Sequence, residues 1–97
     1  MPAYITTFNF TDQGIRNVKD SPNRVNAFRE AVQAAGGRLI AIWWTQGQFD
    51  GVFILDMPDD ETATRMLLSL AALGNIRTTT LRAFSEEEMQ RIVQGLA

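Results

Sequence analysis

Asp50 is the one residue whose neighbours suggest chemistry. A hairpin turning at Gly47-Gln48 sets Thr45 opposite Asp50, with Trp43 two residues farther along the facing strand. If the remaining strands run antiparallel, Asn9 at the end of the first and Arg77 and Thr78 at the start of the last arrive at the same end of the sheet. Asn9, Trp43, Thr45, Asp50, Arg77 and Thr78 are thereby expected to frame a small ligand-binding pocket. A carboxylate beside an indole has reason to titrate high and to serve as a base. The structural alternative is that Asp50 accepts hydrogen bonds from the hairpin or from Thr45 and holds the turn.

Composition removes most other chemistry. There is no Cys and no His, so thiol nucleophiles, disulfides, thiolate metal sites and the commonest general base and metal ligand are all absent. Asp59-Asp60-Glu61 and Glu86-Glu87-Glu88 both stand at helix starts, where helix dipole and capping account for acidic residues. No metal site and no cofactor are expected. A net charge of −2 supplies no basic field for nucleic acid or anionic membrane. The longest apolar stretch, Met66 to Leu73, is broken by Ser69 and is too short to span a bilayer. The N-terminus, MPAYITT, lacks a basic region followed by an apolar one, so a cytoplasmic protein is expected. At the opposite end of the sheet from Asp50, Asp56, Arg82 and Tyr4 are placed to form an ion pair or hydrogen-bonded cluster, with an anion site at Arg82 as its functional variant.

The 97 residues suit a single domain over residues 1–97. Ala3 to Phe10 is a strand by composition, ended by Thr11-Asp12-Gln13-Gly14. Ile15 to Asp20 has room for one short helical turn. Ser21 as N-cap with Pro22 at the first helical position starts a helix whose stripe is Val25, Phe28, Val32 and Ala35; Gly36-Gly37 stops it. Arg38 to Asp60 holds the hairpin and leads into a helix with Ala63, Met66, Leu67, Leu70 and Leu73 on its apolar side, capped by Gly74-Asn75. Ile76 to Ala83 is a Thr-rich strand. Ser85 to Glu88 is a capping box with Phe84 and Met89 as its staple, opening a last helix with Met89, Ile92 and Val93 on its inner face. This order, β-α-β-β-α-β plus a terminal helix, predicts an α+β ferredoxin-like plait with an antiparallel sheet of order 4-1-3-2.

Both faces of the hairpin are apolar. Ile40, Ile42, Trp44, Phe53 and Leu55 fall on one; Leu39, Ala41, Trp43, Val52 and Ile54 on the other. A sheet solvated on one side should alternate polar and apolar residues instead. Leaving one such face in water forgoes roughly 1.5–3 kcal/mol for each large side chain. Self-association is therefore expected, two sheets packing face to face in a homodimer or a larger assembly. The competing arrangement folds the last helix over the second face of its own chain.

Several separated segments resemble the GYD domain family: Thr11-Asp12-Gln13-Gly14-Ile15, Gly47-Gln48-Phe49-Asp50, Met57-Pro58-Asp59-Asp60-Glu61 and the run Leu73 to Phe84. The resemblance spans nearly the whole chain and implies a dimeric α/β-barrel arrangement. The family is named for Gly, Tyr and Asp; Phe49 holds the aromatic position here, so the phenolic hydroxyl is missing. Two functions are consistent with these residues. One is a small homo-oligomeric module that binds a small molecule or serves a structural or regulatory role. The other is a small cofactor-independent enzyme of the dimeric α/β-barrel type, performing proton transfer or oxidation on a compact organic substrate through Asp50. A cavity touching Asp50 and Trp43 favours the enzyme, and a solidly packed interface favours the module.

Overall fold

The alternation in Ala3–Phe10 builds β1, with Tyr4, Thr6 and Phe8 buried on one side of the strand. The computed structural model describes residues 1–97. After β1 come α1 (Asp12–Arg16), a 3-10 turn at Val18–Asp20, α2 (Ser21–Ala34), β2 (Arg38–Trp44), β3 (Gly51–Asp56), α3 (Asp60–Ala72), β4 (Ile76–Ala83) and α4 (Glu86–Gln94). The four strands form one antiparallel sheet in the order β2-β3-β1-β4. Read from its other edge this is 4-1-3-2, the plait expected from the element order.

α2 and α3 lie on one face of the sheet. Phe28 and Val32 of α2 and Ala63 of α3 close over Tyr4, Phe8, Phe53 and Leu55, with Met57 at the end of β3 completing the core. Thr6, also fully buried, shares a 2.8 Å hydroxyl hydrogen bond with Thr80, which removes the cost of an unpaired buried hydroxyl. α2 begins one residue earlier than the Ser-Pro signal indicates. Ser21 is already helical and buried, and its Oγ accepts from Arg24 rather than capping the helix. At α3 the Asp59 carboxylate accepts the Thr62 N–H at 2.7 Å, and this bond holds its pKa below the ordinary carboxylate value.

Two details of the hairpin differ from expectation. Its strands pair as expected, Trp44 with Gly51 and Trp43 with Val52, but the last rung is a 2.9 Å hydrogen bond from Thr45 N–H to the Asp50 carbonyl. The loop is thus the four residues Gln46 to Phe49 rather than Gly47-Gln48 alone, with Gly47 at φ +102°. Farther along β2, the register slips between Leu39 and Ala41. This bulge places Leu39 opposite Leu55 and against the core, and leaves Ile40 45% exposed. The two residues therefore exchange the faces that strict alternation assigns them.

α4 also departs from expectation. Its capping box forms as read, Ser85 and Glu88 bonding reciprocally, and the Ser85 N–H holds the Glu88 pKa below normal. Yet Met89, Ile92 and Val93 are about half exposed and Leu96 is 70% exposed. The helix has no inner face because it leaves the body instead of folding onto the sheet. The molecule is correspondingly elongated, 51 × 31 × 18 Å.

Candidate functional site

Asp50 extends the β1–β3 ladder past its last regular pair. Its N–H donates to the Phe8 carbonyl at 2.9 Å and to Asn9 Oδ1 at 3.1 Å. Its carboxylate Oδ2 accepts the Phe10 N–H at 2.8 Å. Thr45 Oγ1 donates to the Phe49 carbonyl at 2.6 Å, so it serves the loop rather than the Asp50 side chain. Asn9, Thr45 and Asp50 are thus joined into one hydrogen-bonded corner, and Arg77 of β4 stands in register with Asn9 of β1. The other two expected members lie apart. Trp43, 54% exposed, sits opposite Val52 on the uncovered side of the sheet. Thr78 pairs with Phe8 and lines a groove between β4 and α3 that Arg77 also borders.

The cluster expected at the far end forms with different partners. Asp56 pairs with Arg38 across the hairpin at 3.1 Å, not with Arg82. The Tyr4 hydroxyl donates instead to Asp60 Oδ1, on the first turn of α3. Arg82 lays its guanidinium 4.5 Å from the centre of the Phe84 ring and 5.7 Å from that of Tyr4, a cation–π arrangement. Burial, then the hydrogen bond and charge of Asp60, push the Tyr4 pKa up to about 12. A phenol this reluctant to ionise is a donor, not a base.

The sheet carries two further features. The first is a cleft of about 330 Å³ between α2 and α3. Its floor is aromatic: Phe8 meets Phe10 edge-on at 5.9 Å, and Phe53 touches Phe8 at 6.0 Å and Phe28 at 5.3 Å. Gly51 makes that floor possible, since a methyl group there would overlap the Phe8 ring. Sequence reasoning missed the cleft, although its signal was present in Phe8, Phe10, Phe28 and Phe53. Periodicity assigns them to one core without showing that two helices leave a gap above it. The second feature is the outer face, where Ile5, Ala41, Trp43, Val52, Ile54 and Leu81 are contiguous by strand register. None of them is buried.

A four-stranded antiparallel sheet of this order, with two crossover helices on one face, defines a ferredoxin-like α+β protein. The chain belongs to the GYD domain family, whose model matches residues 4–93. It is 30% identical over 84 residues to the glutamine synthetase and cystathionine beta-lyase binding protein of Thermus thermophilus, a match covering 86% of this chain and 88% of that protein. The solved structure of TTHA0845, also from Thermus thermophilus, shares the fold, with a TM-score of 0.56 at 22% identity, covering 88% of this chain and 95% of that one. Motifs far apart in the sequence meet in space. Thr11 N–H and Oγ1 donate to the Asn75 and Gly74 carbonyls at 3.1 and 2.6 Å, and Gln13 Nε2 donates to the Leu73 carbonyl at 2.9 Å. Gly14 packs so closely on Asn75 that any Cβ would overlap its carbonyl.

Proposed function

We propose that this chain is a self-associating binding module that engages other proteins. Two copies pair the outer faces of their sheets into a dimeric α/β barrel, and the assembly docks on a metabolic enzyme. The observation that carries this reading is the uncovered outer face, where Ile5, Trp43, Val52, Ile54 and Leu81 stand together with no element of the chain above them. A contiguous apolar patch of this kind is characteristic of an interaction surface. The relative named as a binding protein of two enzymes supports the class of partner. Asp50 gives the enzyme reading little support, since its carboxylate is engaged by the Phe10 N–H.

Glutamine synthetase and cystathionine β-lyase from the same organism as this chain are the first partners to test. Biolayer interferometry with the purified enzymes should show saturable binding to at least one. Leu81→Glu should weaken that binding at least about tenfold, because it charges a face whose packing the assembly needs. Leu81 is 58% exposed in the single chain, so the variant should keep its fold by circular dichroism. Absence of binding to either enzyme at tens of micromolar would remove the enzyme-docking half of the proposal.

A further inference from the structure

The cleft between α2 and α3 lies on the opposite side of the sheet from the face assigned to self-association. Its lining is apolar except for Ser21, Arg24, Ser69 and Asn75. A volume of about 330 Å³ is in the range of small-molecule pockets, which combine apolar walls with a few polar groups that orient the ligand. The floor is rigid, because Phe8, Phe28 and Phe53 are each at least nine-tenths buried and pack ring against ring. The chain's own last helix cannot fill the gap. β4 runs away from the cleft, from Ile76 at its lining to Ala83 at the far end of the sheet, where α4 begins.

Charge selects the kind of occupant. Arg24 is the only charged residue lining the cleft. Its side chain is held in place, Nη1 donating to the Asn17 carbonyl at 3.0 Å and Nη2 to Ser21 Oγ at 3.1 Å. Asp20 forms a loose ion pair with Nη1 at 3.9 Å from the more exposed side, and its carboxylate also accepts from Asn23 at 2.9 Å. A guanidinium has five N–H donors in a planar fork, so donors remain for a ligand. An oriented cation beside an aromatic floor is complementary to a molecule with an apolar body and one anionic end. We infer that this cleft binds a compact apolar monocarboxylate, its hydrocarbon part over Phe8, Phe10 and Phe53 and its carboxylate on Arg24.

Octanoate, 3-phenylpropanoate and the uncharged octanamide are suitable probes. Binding can be followed by isothermal titration calorimetry, with Trp44 fluorescence as a second readout because that indole lines the cleft. At least one carboxylate should bind saturably, and about tenfold more tightly than octanamide, since a charge-assisted bond to a fixed guanidinium is the stronger kind. Arg24→Gln should bring the carboxylate down to the octanamide level while leaving octanamide unchanged; Arg24→Lys should keep part of the preference. Ala31→Phe, which fills the cleft from α2, should abolish all binding. The inference fails if neither carboxylate saturates in the low millimolar range, if octanamide binds as well as octanoate, or if Arg24→Gln weakens all three probes equally. Repeating the titration with Leu81→Glu separates this site from self-association, because its expected octanoate affinity is that of the unaltered chain.

Discussion

Tyr4 is the only tyrosine in the chain and Lys19 the only lysine, which makes alkaline titration unusually easy to read. The Tyr4 phenol is buried and donates to Asp60, and its pKa stands near 12 instead of 10. Between those values the folded chain keeps a proton that the unfolded chain has lost, so stability falls as pH rises. The contribution is complete below pH 10 and disappears through about pH 12. Melting temperatures measured across this window should therefore decline, while tyrosinate absorbance of the folded chain appears only near its upper end. Tyr4→Phe should remove the Tyr4 part of that decline while costing about 1.5–3 kcal/mol at neutral pH, the worth of a hydrogen bond to a charged acceptor. An equally steep decline in Tyr4→Phe would contradict the assignment. Asp50 shows why residue chemistry was only half legible from the sequence. Its position opposite Thr45 followed from hairpin register, but the donor that occupies it, the Phe10 N–H, depends on how far β1 runs alongside β3. Asp60 in turn reads as a plain first-turn acid, because nothing in the local sequence announces a partner 56 residues away.

At the scale of elements, the helix and strand signals are legible in the sequence because each has a local physical cause. The capping box before α4, the acidic start of α3 and the alternation in β1 are all self-contained. The bulge in β2 has no such marker. RLIAIWW is apolar at nearly every position, so no polar residue reports which side faces water, and the slip at Ile40 was invisible. The position of α4 is hidden from the sequence for a related reason. Its Met89, Ile92, Val93 stripe shows that the helix must pack on something, not that the something belongs to the same chain. A nine-residue helix without tertiary support is marginal in water, capping box included. If assembly provides that support, amide hydrogen exchange in Glu86–Gln94 should slow as protein concentration rises. It should be fast at every concentration in Leu81→Glu. Equal protection in the two proteins would show that α4 is stable alone and takes no part in assembly.

For the whole molecule, a 97-residue chain buries a modest core on one side of its sheet and leaves the other side uncovered. Only eight hydrophobic residues form the buried core, few for a sheet with apolar residues on both faces. That imbalance was legible from the alternating faces of the hairpin alone. The cleft above the other face was not, since it depends on the spacing of two helices that share no sequence signal. Pairing of the uncovered faces is the claim on which the barrel, the support of α4 and the enzyme-docking role all depend. Sedimentation equilibrium at micromolar concentration tests it most directly. With a chain mass of 10.9 kDa, the expected result is a particle of two or more chains that Leu81→Glu or Trp43→Glu reduces to one. A mass of one chain for the unaltered protein would contradict the account.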